Sequence, residues 1–181
     1  MSNTPEFTID AVIEIPKGSR NKYEYDKEKK MIRYDRMIFS SMFYPSDYGF
    51  IPDTLAEDGD ALDVLVLVTE PTFPGCLIEV KPIGLFKMYD EKGTDDKILC
   101  VPVSDPIWNK VSTLEEVNPH LKMEIEHFFQ VYKDLEKKKV GIEGWEGKIA
   151  ALNAIRDSQK RYQDTLKKEL RSSNHVWAHL S

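Results

Sequence analysis

Three carboxylates fall within six residues in Asp58-Gly59-Asp60-Ala61-Leu62-Asp63, a segment that reads as a turn entering an apolar strand. Like charges about 4 Å apart repel by roughly 1 kcal/mol in water and roughly 4 kcal/mol at an effective dielectric of 20. Acids packed that closely must take up protons, stay solvated or hold a cation. Two features weigh against a plain solvated turn. Gly59 permits the tight backbone that converges the flanking acids. Asp63 opens the stretch from Leu62 to Thr69, which is apolar on both faces and where an unpaired charge is costly.

A second acidic group, Asp90-Glu91 and Asp95-Asp96, surrounds Gly93 and is followed by Lys97. Alone it reads as a polar hairpin turn. Beside the first group it supplies further oxygens for a multi-metal site. Glu14 is a third component, on an alternating strand whose periodicity does not decide which way it faces. All four histidines, His120, His127, His175 and His179, lie in the C-terminal third. A metal at the acidic turn is therefore held by oxygen alone, which selects Mg²⁺ or a similar hard cation. His175 and His179 have the i, i+4 spacing of a transition-metal pair, a weak signal near a chain end.

Rival motifs fail. In an EF-hand starting at Asp58, position 5 falls on Leu62, the glycine at position 6 on Asp63 and the bidentate Glu at position 12 on Thr69. Gly141 to Lys148 lacks the glycine spacing of a phosphate loop, and Ile149 follows the lysine where Ser or Thr is required. That stretch reads as a loop between helices.

The positioning elements are predicted from periodicity. Thr8 to Ile15 and Lys22 to Asp26 alternate as strands, and Met31 to Phe43 is apolar and aromatic with interspersed charge. Leu62 to Thr69 reads as a buried central strand. Leu77 to Val80, Ile83 to Met88 and Ile98 to Val103 complete a set that suggests a small barrel or sandwich. The period then changes. Asn118-Pro119 starts a helix with the stripe Leu121, Ile125, Phe128, Tyr132 and Leu135. A second helix is predicted from about Trp145 to Leu170, with Ile149, Leu152, Ile155, Tyr162 and Leu166 inward. The whole reads as an α+β domain, a β-barrel followed by two packed helices.

The 181 residues fit one domain, 1–181. Val64 to Val68 is the longest aliphatic run, far short of the ~20 residues of a membrane span. Met1 to Phe7 shows no secretory pattern, so a cytoplasmic location with Cys76 and Cys100 reduced is expected. A net charge of −6 makes nucleic acid a poor first partner. From Lys17 to Arg36 there are eight basic residues against four acidic, whereas Asp53 to Asp63 has five acidic and no basic residue. A fold that joins them sets a carboxylate cluster beside a cationic wall.

From about Ile13 to Trp145 the chain resembles the soluble family I inorganic pyrophosphatases. The resemblance rests on Ile13-Glu14-Ile15-Pro16, Lys22-Tyr23-Glu24, Asp35-Arg36, Tyr44-Pro45, Tyr48-Gly49, Asp58 to Val64, Lys87 to Lys97, and His127-Phe128-Phe129 through Tyr132-Lys133-Asp134-Leu135-Glu136, in family order. It implies a five-stranded OB-like closed β-barrel with two flanking C-terminal helices, cytoplasmic location, and a homohexamer of the prokaryotic type. It also implies Mg²⁺-dependent hydrolysis of pyrophosphate to two orthophosphates, with Mn²⁺ or Co²⁺ as possible substitutes.

Carried onto this chain, the resemblance implies that Asp58, Asp63 and Asp95 ligate the tighter metal and that Asp63 touches a second. Asp90 ligates a metal arriving with substrate, and Glu14 and Glu91 assist nearby. Asp60 orients and deprotonates the attacking water. Lys22, Arg36, Tyr48, Lys97, Tyr132 and Lys133 hold phosphate oxygens, with Glu24 and Asp35 behind them. By periodicity alone Tyr132 is a core residue and Lys22 a surface lysine. The chain departs from the family at Ala61, where the signature usually has proline or sometimes glutamate, and in its tail, 171–181. Two other functions compete: a non-catalytic barrel binding a polyanion or divalent cations, and hydrolysis of a related phosphoanhydride or short polyphosphate.

Overall fold

The computed structural model describes residues 6–177, with side chains through residue 171. Its strands are β1 (Ile9–Ile15), β2 (Asn21–Asp26), β3 (Met31–Met37), β4 (Asp47–Phe50), β5 (Asp63–Val66), β6 (Leu77–Asp90), β7 (Gly93–Thr94), β8 (Lys97–Pro102) and β9 (Val140–Gly147). Its α-helices are α1 (Pro119–Val131) and α2 (Lys148–Trp177). β1 pairs with β4 and β6, β4 with β5, and β8 with β6, all antiparallel. β5 and β8 run parallel. Five strands thus form a ring of pairings within a mixed sheet. β7 and β9 add to β6, while β2 and β3 form a separate hairpin. Gly49 permits the β1–β4 contact: a Cβ there would sit 1.9 Å from the Val12 carbonyl oxygen.

Successive side chains on a strand point to opposite faces, so strands apolar on both faces build two cores. Val64 and Val66 join an aliphatic cluster with Ile98, Cys100 and, from α2, Ala151 and Ile155. Leu65 and Leu67 join an aromatic cluster with Phe86, with Phe128 and Phe129 of α1, and with Tyr132, the residue that caps it. The buried central strand and the first helix match expectation, including the Asn118 cap, whose Oδ1 accepts from the His120 amide at 2.9 Å.

Other boundaries change. Gly141 to Lys148 is not a loop. Residues 140–147 form β9, because β6 offers a free edge and Trp145 packs on Phe86 with ring centroids 4.7 Å apart. One of the glycines that read as loop signals, Gly144 with φ +108°, adjoins the register shift in this ladder. α2 therefore starts at Lys148, not near Trp145, and extends past Leu170. Its buried face is Ala151, Ile155 and Ser158, whereas Ile149 is 78% exposed. Small residues let this helix lie close to the sheet, which a search for large apolar residues overlooks. Leu135, predicted inward, is exposed because α1 ends before it. Leu77 to Val80 and Ile83 to Met88 are one strand, and the strand beginning at Met31 stops at Met37. β4 carries no alternation long enough to signal it. The His175–His179 pair lies outside the residues whose side chains are described. Both cysteines are free, and no described helix is long and apolar enough to cross a membrane.

Candidate active site

Parallel pairing of β5 with β8 sets Asp63 opposite Lys97. Lys97 Nζ donates to Asp63 Oδ2 at 2.8 Å, to Asp95 Oδ1 at 2.7 Å and to the Asp95 carbonyl oxygen at 3.2 Å. An ammonium has three hydrogens, so this set accounts for all of them. The Lys97 side chain is 1% exposed. Burial opposes its charge, but Asp63 and Asp95 outweigh burial and hold it protonated. Burial raises the Asp95 carboxyl even though Lys97 opposes the shift. Tyr48, on β4, donates from its hydroxyl to Asp63 Oδ2 at 2.5 Å. Burial, then the Asp63 and Asp95 charges, push that phenol well above its usual range.

Glu14, on β1, accepts from the Tyr25 amide at 2.6 Å. Burial lifts its carboxyl to about 7; the Tyr25 amide resists this and the Asp63 charge reinforces it. Asp90 closes β6 and accepts from the Lys92 amide at 2.8 Å and from Lys133 Nζ at 3.0 Å. Burial raises Asp90, but those two partners pull it below the usual carboxylate range.

Asp58 and Asp60 are of a different kind. Both are exposed on the turn before β5, where Gly59 has φ +93°. The Asp60 amide donates to Asp58 Oδ1 at 3.0 Å, and the Ala56 amide to the Asp60 carbonyl at 2.7 Å. Among the described residues the Asp60 carboxylate meets only Lys27, at 3.3 Å, in an exposed pair.

The cationic wall comes from the β2–β3 hairpin and the end of α1. Lys22 pairs with Glu24 at 2.6 Å and Asp35 at 3.4 Å. Arg36 lies opposite Lys22 in the ladder and donates to Asp35 and Glu136. Tyr132 is buried in the aromatic core, and Lys133 Nζ stands 5.2 Å from its ring centroid.

A cleft of about 350 Å³ gathers these elements. Its walls include Glu14, Asp58, Asp60, Asp63, Asp90 and Asp95 on the acidic side, with Lys22, Tyr48, Tyr132 and Lys133 facing them. Lys97 underlies the acidic side through its carboxylate contacts. Arg36 and Glu91 are not among the wall residues. Lys27 and Lys92 also line the cleft, and sequence reasoning assigned them nothing. Their only signal was their place in charged turns. Glu136 was another omission: the sequence shows it near a helix end but not its reach to Arg36.

The wall offers carboxylate oxygens with no His or Cys, a donor set suited to a hard divalent cation. As placed, no three such groups among the described residues stand close enough to hold one ion, and Lys97 bridges Asp63 and Asp95.

Residues 11–163 match the family model described as inorganic pyrophosphatase. A Methanosarcina acetivorans protein named inorganic pyrophosphatase is 62% identical over 163 residues, covering 90% of this chain and 97% of that one. Its namesake from Streptomyces coelicolor is 54% identical, covering 86% and 96%. The crystal structure of inorganic pyrophosphatase from Thermus thermophilus superposes with a TM-score of 0.84 at 45% identity, covering 90% of this chain and 95% of that one. The chain belongs to the soluble family I inorganic pyrophosphatases.

Proposed function

We propose that the chain hydrolyses inorganic pyrophosphate to two orthophosphates, with Mg²⁺ as the resident cation and Mn²⁺ or Co²⁺ as substitutes. The observation that carries this reading is one cleft lined by seven carboxylates, Glu24 among them, together with Lys22, Lys133, Tyr48 and Tyr132, in a chain of this family. Pyrophosphate is so highly charged that an anionic wall alone repels it. Divalent cations supply neutralisation of its oxygens and acidify water. Asp58, Asp63, Asp95, Asp90 and Glu14 would hold them. Asp60 orients the attacking water and takes its proton as the bridging P–O bond breaks; the water oxygen stays on the attacked phosphorus. Lys22, Lys133, Arg36, Tyr48 and Tyr132 take phosphate oxygens, Arg36 through its fork and the lysines as point charges. Lys97 reaches a phosphate oxygen by releasing one of its two carboxylates.

The broader reading goes with it. Residues 1–181 form one domain, and the ring of strands closes as an OB-type barrel, supported by pairings that return to β1. The chain acts in the cytoplasm as a homohexamer on pyrophosphate, with no nucleic-acid or membrane partner. The mass in solution by light scattering tests the hexamer. The activity is tested by phosphate release from pyrophosphate and Mg²⁺ with and without chelator. Release that chelator abolishes is expected; no release, or release indifferent to chelator, ends the proposal.

A further inference from the structure

Glu136 has no role in the mechanism above, yet it is the most enclosed carboxylate of the cationic wall, with its side chain 5% exposed. It closes a short 3₁₀ turn, Asp134–Glu136, three residues after Lys133 and four after Tyr132. From there it reaches back to β3. Arg36 Nε donates to Glu136 Oε1 at 3.0 Å, and Arg36 Nη2 donates to Oε1 at 2.8 Å and Oε2 at 2.9 Å. Arg36 Nη1 donates to Asp35, and Asp35 Oδ2 also pairs with Lys22 Nζ at 3.4 Å. One line of ion pairs therefore runs from the segment carrying Tyr132 and Lys133 to the hairpin carrying Lys22.

We propose that Glu136 is a positioning residue: by gripping the Nε–Nη2 edge of Arg36, it fixes the spacing between the two basic walls that receive the phosphates. The proposal rests on the reading of Arg36 as a phosphate-holding group. A guanidinium presents five N–H donors. Glu136 takes the Nε–Nη2 edge and Asp35 one hydrogen of Nη1, which leaves one hydrogen on each Nη, and the one on Nη1 is left to a phosphate oxygen. A long cationic side chain loses rotamer freedom when it is fixed. Glu136 makes that loss part of folding, so it is not charged against substrate binding. Burial raises the Glu136 carboxyl, but Arg36 and Lys138 more than reverse this and keep it ionised. Lys138, the other partner at 3.2 Å, is half exposed and leads away from the walls.

The test is a double-mutant cycle on the full chain with Mg²⁺, measuring KM, kcat and melting temperature. Glu136→Gln is expected to raise KM for pyrophosphate about tenfold with kcat held within about twofold, the signature of lost substrate positioning. Arg36→Lys, which cannot fill the fork, is expected to raise KM comparably. The double variant is expected to be no worse than either single one, whereas Lys138→Gln leaves KM unchanged. Should Glu136→Gln fail to fold, Glu136→Asp keeps the charge, withdraws it by one methylene and is expected to show the same split. A wild-type KM in the Glu136 variants overturns the proposal. So does a Glu136→Gln effect that persists undiminished on Arg36→Lys, because Glu136 then acts elsewhere. A wild-type KM for Arg36→Lys alone overturns the assignment of Arg36 and the positioning role with it, leaving the pyrophosphatase activity itself to the chelator assay.

Discussion

The acids on strand ends and the acids on the turn before β5 share a cleft but are held in opposite ways. Asp63 and Asp95 are fixed by a lysine with 1% exposure, and Tyr48 adds a third contact to Asp63. Asp60 is 70% exposed and pairs with Lys27, itself 64% exposed. A pair built on a fully buried lysine is strongly coupled to the fold because that ammonium cannot turn to water, whereas exposed pairs contribute about 0–1 kcal/mol. The strand-borne half is thus set before any ligand arrives, and the turn-borne half remains free to adjust. That division suits the proposed roles of Asp63 and Asp95, ligands that need fixed geometry, and of Asp60, a base that must meet a water and release its proton again.

Lys97→Met breaks the comparison most severely. It leaves Asp63 and Asp95 without their cation, and removing one partner of a buried pair costs about 3–5 kcal/mol. At about 2–4 °C per kcal/mol for a domain of this size, the melting temperature without divalent cations should fall by roughly 10 °C. Adding Mg²⁺ should restore more of this loss in the variant than it adds to the parent, because the cation then supplies the missing charge. A calorimetric scan with and without Mg²⁺ reads both. An unchanged melting temperature means that the strand-borne acids do not need Lys97.

Asp60→Asn tests the other half. Loss of a general base costs on the order of 10²-fold in turnover. An exposed substitution of this kind changes stability by about 0.5 kcal/mol or less. Turnover should therefore collapse while the melting temperature and the Mg²⁺ titration stay near those of the parent. Intact turnover removes Asp60 from the role of base. A large loss of stability instead removes the contrast between the two halves.

How legible each half was in the sequence follows the same line. The turn-borne acids Asp58 and Asp60 lie within five residues of Asp63, so all three stand out from spacing alone. Glu14 and Lys97 do not: both faces of β1 read as possible, and Lys97 looks like the end of a charged hairpin. Only the parallel β5–β8 register, a pairing across 34 residues, puts Lys97 under Asp63. The resemblance named these residues where periodicity was silent. It did not reveal that all three hydrogens of Lys97 are committed to Asp63 and Asp95. The fold shows the same pattern. β5 and α1 have long apolar signals and were readable, but β9 is rich in glycine and exists because β6 offers an edge. On the inner face of α2 the expected Ile155 is buried, but its neighbours there are Ala151 and Ser158, which patterns built on large side chains do not detect.

The smallest effect concerns Ala61, the one departure inside the signature segment. The hydrogen bonds of the turn run through its neighbours: the Asp60 amide to Asp58, the Ala56 amide to the Asp60 carbonyl, and the Leu62 amide to Thr54 Oγ1 at 2.9 Å. Proline at position 61 removes none of these donors. It also withdraws freedom from the unfolded chain, which stabilises by about 0.4–1 kcal/mol where the native backbone suits proline. Ala61→Pro should therefore raise the melting temperature by roughly 1–4 °C and tighten Mg²⁺ binding slightly, by stiffening the half of the cleft that is otherwise adjustable. Turnover should be kept, because Ala61 contributes no ligand. If melting temperature and Mg²⁺ affinity both stay at the parental values, the turn is already as rigid as the strands. Its exposure would then no longer imply freedom to move.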